Sequence, residues 1–246
     1  MNEKIFVCFI IVRLINLSLT GQSSCDSFCF GKEIYPFTAQ VLSVEKLWES
    51  NDLITTRQQP LVADMDGDGN IEIMMPVSNL NSLYVNEILV FNYSSNNYIK
   101  SIQTPFFGTG VRGSILIADT NNDCKLEFII ACSDNANNPI EQRKKLVCMD
   151  YDGNIIWVSD QRYGEKLSII YPHGGAIGIA DFNSDGIAEV YIYNEVYNAQ
   201  NGIKLIDGGI NGFGIGRVGA SAGSHSSIVA ANVDLDDNLE LIAGYS

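Results

Sequence analysis

From about residue 60 onward the chain is a succession of short apolar runs separated by clusters of Asp, Asn, Gly and Ser. The runs alternate or are continuously apolar, and they are rich in Ile, Val, Phe and Tyr. No stretch sustains the i, i+3, i+4 spacing that marks the buried stripe of a helix, so the pattern predicts strands throughout. A first group falls at 61–65, 72–77, 87–93 and 97–103, and a second at 114–119, 126–132, 144–151 and 155–161. A third follows at 176–181, 188–194, 196–199 and 203–206, and a fourth ends after its second strand, 239–245. Asp152-Gly153 and Asn201-Gly202 sit where the third and fourth strands of a group must reverse, and both central positions of a type I′ turn need positive φ. The expected fold class is all-β, in four-stranded units.

The units are repeats. Segments 61–75 (LVADMDGDGNIEIMM), 116–130 (LIADTNNDCKLEFII), 178–192 (GIADFNSDGIAEVYI) and 229–243 (VAANVDLDDNLELIA) align without gaps. Their loops begin at Asp64, Asp119, Asp181 and Asn232, separated by 55, 62 and 51 residues, the spacing of β-propeller blades rather than of helical solenoids. Trp48 lies in a strand-like segment, 46–50, ahead of the first unit and reads as a lone fourth strand, of the kind propellers use to close the ring. With two strands of the fourth unit missing, about 3.5 blades are expected here, the N-terminal part of a longer chain.

Each loop follows D/N-x-D/N-x-D-x-x-x-E. The candidate metal ligands are Asp64, Asp66, Asp68 and Glu72; Asp119, Asn121, Asp123 and Glu127; Asp181, Asn183, Asp185 and Glu189; and Asn232, Asp234, Asp236 and Glu240. Alternate side-chain oxygens in a tight turn converge on a hard cation, and Ca2+ accepts six to eight oxygens in flexible geometry where Mg2+ demands a smaller octahedron. Gly69 and Gly186 occupy the sixth position, where the chain reverses with positive φ, whereas Cys124 and Asp237 stand there in the second and fourth loops. The Asp64 and Asp181 loops are therefore the most complete sites. An EF-hand shares the opening of this pattern, but its twelfth-position Glu is here Met75, Ile130, Ile192 or Ala243, and strands flank the loops instead of helices.

Charge sharpens this picture. The chain of 246 residues carries 29 acidic and 15 basic residues, a formal charge of −14, which argues against nucleic acid as a partner. Counting Asp237, 14 of the acidic residues lie in the four loops, where unpaired carboxylates would repel one another and bound Ca2+ would neutralise them.

The loops and the strands after them (IEIMMP, LEFIIA, AEVYIY, LELIAG) resemble the FG-GAP/VCBS repeats of integrin-α-like β-propellers, found in secreted bacterial surface proteins, over residues 46–246. The resemblance implies a ring of about seven blades, with calcium in the loop between the first two strands of a blade. The phenylalanyl-glycyl and Gly-Ala-Pro signatures of integrin repeats are degenerate or absent, so integrin-type ligand recognition does not carry over.

Residues 1–24 read as an export signal: Lys4, an apolar run from Ile5 to Ile15 and small polar residues after it. Arg13 interrupts a run already shorter than the roughly 20 residues of a membrane span. Cys25 after Ser23-Ser24 is a candidate lipid anchor, and 25–45 is an N-terminal segment before the repeats. Export makes Cys25–Cys29 and Cys132–Cys148 the disulfides to test, against the alternative of buried thiols. His173, His225 and Arg112 precede the loop-entering strands and could face a ligand, though turn decoration is the commoner role of such residues; Trp48, Trp157 and the tyrosines are expected to pack between blades rather than to stack on sugars. No H-E-x-x-H motif occurs. Two functions remain: a secreted or cell-surface, non-enzymatic adhesion module that binds an extracellular protein or glycan, or an extracellular polysaccharide lyase resembling the rhamnogalacturonan lyases, which carry similar acidic loops.

Overall fold

The computed structural model describes residues 8–11, 45–49, 59–77, 85–95, 97–104, 115–133, 143–165, 177–208, 227–234, 236 and 238–244. The chain divides into two compact units, Met1–Leu53 and Ile54–Ser246. In the first, β1 (Cys8–Ile11) pairs antiparallel with β2 (Glu45–Glu49). The strand expected around Trp48 is present, but it lies beside Cys8–Ile11 instead of standing alone.

The second unit is all-β. One four-stranded antiparallel sheet holds β3 (Leu61–Ala63), β4 (Glu72–Val77), β5 (Glu87–Asn92) and β6 (Asn97–Gln103). The next holds β7 (Ile115–Ala118), β8 (Glu127–Ala131), β9 (Leu146–Met149) and β10 (Ile155–Val158). The third holds β11 (Ile177–Ala180), β12 (Glu189–Ile192), β13 (Glu195–Asn198) and β14 (Lys204–Asp207), and β15 (Ser227–Ala231) pairs with β16 (Glu240–Gly244) in a two-stranded fourth. Strands follow one another across every sheet in chain order, as hairpin connections require. The first strands stop at Ala63, Ala118 and Ala180, short of the expected ends, because the Asp that follows each one turns its carboxylate back onto loop amides and ends the ladder.

Packing runs from sheet to sheet. Strands β4, β8 and β12 are buried along their length, and these are the continuously apolar runs of the sequence. The second sheet lies between two cores because its side chains alternate. Phe128, Ile130, Cys132, Val147 and Met149 face Met65, Met74, Ile88, Val90 and Ile102 of the first sheet. Ile129, Ala131, Leu146, Cys148, Trp157 and Tyr163 face Val190, Ile192, Tyr193, Tyr197 and Ala199 of the third. The first strands β7, β11 and β15 adjoin in series, and the outer strands β6, β10 and β14 expose Tyr98, Ile99, Ile155, Ile156, Leu205 and Ile206.

The same alternation overturns one expected disulfide. Cys132 and Cys148 form no disulfide and lie on opposite faces of the second sheet, Cys132 in the first core and Cys148 in the second, and Cys148 is registered against Ile129. A bridge needs both Cβ atoms on one side. Burial pushes both thiols up to about 12. Cys25 and Cys29 lie outside the described residues.

Directed polar contacts tie the second and third sheets together. The Trp157 indole N–H donates to the Ala199 carbonyl at 3.0 Å across the two, while the Tyr163 hydroxyl, packed against the third sheet, donates to the Cys132 carbonyl within the second. Gly202 takes φ +72° in its turn, and a Cβ there would sit 2.5 Å from the Trp157 ring, so glycine satisfies both handedness and space. Deeper in, Lys204 Nζ lies 3.1 Å from Glu195 Oε2, with 4% and 1% of the two side chains exposed. Glu195 also accepts from Gly164 N–H at 3.0 Å and the Tyr197 hydroxyl at 2.8 Å, while Lys204 donates to the Arg162 carbonyl at 2.7 Å.

Candidate metal loops

Each sheet of the second unit carries an acidic loop between its first two strands. In the first, Asp64 accepts from the amides of Gly67 (2.9 Å), Asp68 (3.1 Å) and Gly69 (2.8 Å), Asp66 from Asp68 N–H (3.2 Å) and Asp68 from Asn70 N–H (2.7 Å). Glu72 is buried at the start of β4 and closes the loop by accepting from Met65 N–H at 2.9 Å. The second loop repeats this: Asp119 accepts from Asp123 (3.2 Å) and Cys124 (2.9 Å), Asn121 from Asp123 (2.9 Å), and Glu127 from both the amide and the hydroxyl of Thr120 (2.8 and 2.7 Å). In the third, Asp181 accepts from Asp185 (3.1 Å) and Gly186 (2.9 Å), Asn183 from Asp185 (3.1 Å), and Glu189 from Phe182 (2.9 Å). In the fourth, Asp234 accepts from Asp236 (3.2 Å), Glu240 from Val233 (2.9 Å), and the Asn232 amide donates to the Asp236 carbonyl.

The backbone explains why unlike sequences make one loop. Positive φ occurs at the fourth position, in Gly67 (75°), Asn122 (62°) and Ser184 (56°), and again at the sixth, in Gly69 (86°), Cys124 (66°) and Gly186 (83°). Cys124 therefore holds the conformation that glycine holds elsewhere, its thiol exposed. The fourth-position requirement is absent from the sequence reading because Asn and Ser tolerate it without announcing it.

Ligand atoms of Asp64, Asp66 and Glu72, and of Asp234, Asp236 and Glu240, lie within 4.8 Å of one another. The three-carboxylate groups thus fall in the first and fourth loops, whereas the second and third have Asn121 and Asn183 at the third position and lower charge. The donor set is oxygen throughout, carboxylate and amide, which fits a hard divalent cation. Burial pushes the Glu72 carboxyl up, Met65 N–H opposes this, and Asp66, Asp68 and Asp64 raise it further. Glu189 is raised by burial and by Asp185 and Asp181 against the pull of Phe182 N–H. The negative field reaches Tyr151 in the second sheet, whose phenol is raised by burial and then by Glu72, Asp66, Asp152 and Asp68.

His173, His225 and Arg112 lie outside the described residues. Trp157 is buried between sheets, as packing requires, and offers no open ring face. Among the described residues no helix is long and apolar enough to cross a membrane.

No protein-family model and no curated protein matches the sequence. Three solved structures align over 82% of the chain. The V. cholerae biofilm matrix protein Bap1 is 23% identical with a TM-score of 0.48, and the alignment covers 27% of it. Rhamnogalacturonan lyase YesW is 19% identical with a TM-score of 0.51 over 38% of its length, and the exotype rhamnogalacturonan lyase YesX 17% identical with a TM-score of 0.49 over 37%. The chain spans well under half of each, and its sheets share a fold with part of YesW.

Proposed function

We propose that residues 54–246 form successive blades of a calcium-stabilised β-propeller of the FG-GAP/VCBS kind, acting outside the cell as a non-enzymatic surface for a protein or glycan ligand. The observation that carries this reading is the recurrence of oxygen-bearing side chains at positions one, three, five and nine, at the same connection of four consecutive sheets, with the ninth-position Glu accepting the second-position amide in each. Asp64, Asp66, Asp68 and Glu72, and their counterparts, would hold the ion. Bound calcium would supply the positive charge that these crowded carboxylates lack. Such loops suit extracellular calcium, whose high concentration fills weak sites, and the Ile5–Ile15 apolar run would direct export.

Chelation tests the structural role. Protein dialysed against calcium should retain two to four ions, and a chelator should lower its Tm; at a hundredfold excess of calcium over Kd, each site adds about 2.7 kcal/mol. Asp66→Ala should reproduce part of the loss. Unchanged melting in protein shown to carry calcium would sink the proposal.

A second reading rests on the fold shared with YesW: a polysaccharide lyase on the same scaffold. Elimination would leave an unsaturated, ultraviolet-absorbing sugar, so incubation with rhamnogalacturonan separates the two. Rising absorbance favours the enzyme, and its absence together with retention on a glycan or protein column favours the binding surface.

A further inference from the structure

The loops are not independent. Leu126, at the eighth position of the second loop, donates its N–H to the carbonyl of Met65, the second position of the first loop, at 3.2 Å. Leu239 and Phe182 stand in the same relation in the fourth and third loops, at 2.9 Å. Among the described residues no such bond joins the second loop to the third. Each bond lies between two ninth-position glutamates. Met65 N–H is held by Glu72 while its carbonyl receives Leu126, whose neighbour is Glu127; Phe182 N–H is held by Glu189 while its carbonyl receives Leu239, whose neighbour is Glu240. The first and second loops also touch, since a Cβ on Gly67 would stand 3.4 Å from the Cys124 carbonyl.

From this we infer that the loops work as two coupled pairs, first with second and third with fourth, so that cation binding in one member raises the affinity of the other. The inference rests on the calcium reading above. Ordering the first loop fixes Glu72, hence the backbone on both sides of Met65 Cα, hence the carbonyl acceptor that positions Leu126 and Glu127. A loop whose partner is already ordered has less conformational entropy to lose when it binds. Coupling is reciprocal, so the second loop must aid the first by the same factor.

Hydrogen exchange on the full chain, read by mass spectrometry across a calcium titration, resolves the loops separately. In Asp66→Ala, the calcium midpoint for protection of 119–127 should rise about fivefold or more, while 181–189 and 232–240 keep theirs. Asp123→Ala should shift 64–72 by the same factor, and Asp185→Ala should shift 232–240 but not 64–72. Amides of β8 and β12 report in the same spectra that the fold is intact. Asp66→Asn, which retains the oxygen that accepts Asp68 N–H, is the second variant if alanine costs the fold. An unmoved midpoint at 119–127 overturns the coupling and leaves the calcium reading standing, whereas absence of calcium protection in every loop of the unsubstituted protein overturns both.

Discussion

On the face of the second sheet that meets the first, Met65, Met74 and Met149 fill the spaces among Ile88, Val90, Phe128 and Ile130. On its other face the filling is aromatic, Trp157, Tyr163, Tyr193 and Tyr197, and the Glu195–Lys204 pair is buried nearby. The same repeat thus closes against its neighbours in two ways. Thioether and aliphatic packing is non-directional and adaptable, so the first seam tolerates small changes of shape. The polar tips of Trp157, Tyr163 and Tyr197 in the second seam each have a named acceptor, and such contacts specify one register at the risk of a large loss when a single partner goes.

The largest test is Lys204→Met. It strands the Glu195 carboxylate on the Tyr197 hydroxyl and Gly164 N–H, and removing one partner of a buried pair costs about 3–5 kcal/mol, read from the urea midpoint. Adding Glu195→Gln should recover much of that loss. A loss below about 1 kcal/mol would show that both seams are held by packing alone. Next comes Met74→Ala in the first seam, expected to cost about 2–5 kcal/mol through the cavity it leaves, with Met74→Leu below about 1.5 kcal/mol; an equal loss from leucine would mean that this seam is as exacting as the other.

A smaller effect separates the seams by pH. Burial pushes the Glu195 carboxyl above its ordinary range, and Lys204, Tyr197 and Gly164 N–H pull it part of the way back. The folded chain then keeps this proton at pH values where the unfolded chain has lost it. Its contribution to stability is full below the unfolded pKa and is lost as pH rises through the folded one. Lys204→Met should steepen that fall, whereas Met74→Ala should keep the parent slope in the same urea titrations. The smallest change concerns the rim of the first seam, where Lys100 reaches Asp152 at 2.9 Å and stands over the Tyr151 ring. Asp152 is 79% exposed, so Lys100→Ala should cost less than about 1 kcal/mol, and that cost should shrink with added salt.

Strand order and the four acidic loops were legible because their physics is local: an Asp that takes amides three to five residues on writes its spacing into the chain. The strands β4, β8 and β12 were equally plain as continuously apolar runs. What depends on facing direction was hidden. Cys132 and Cys148 flank an apparent hairpin, yet register places them on opposite faces. Glu195 left a trace, an acid inside the apolar run YIYNEVYN, but its partner lies on β14, where Lys204 is registered against Tyr197 rather than Glu195. The bonds from Leu126 to Met65 and from Leu239 to Phe182 are main-chain contacts between repeats and leave no side-chain signature.

The sixth loop position asks for left-handed backbone, not for the lack of a side chain. A Cβ added to Gly69 or Gly186 would meet nothing within 4 Å, and Cys124 shows such a side chain in place. An L-residue there gives up roughly 1–2 kcal/mol. In return the molecule gains a display point beside each of the first three loops, where a new group can be presented to solvent without rebuilding any neighbour, and surface diversity can accumulate while the acidic positions stay as they are.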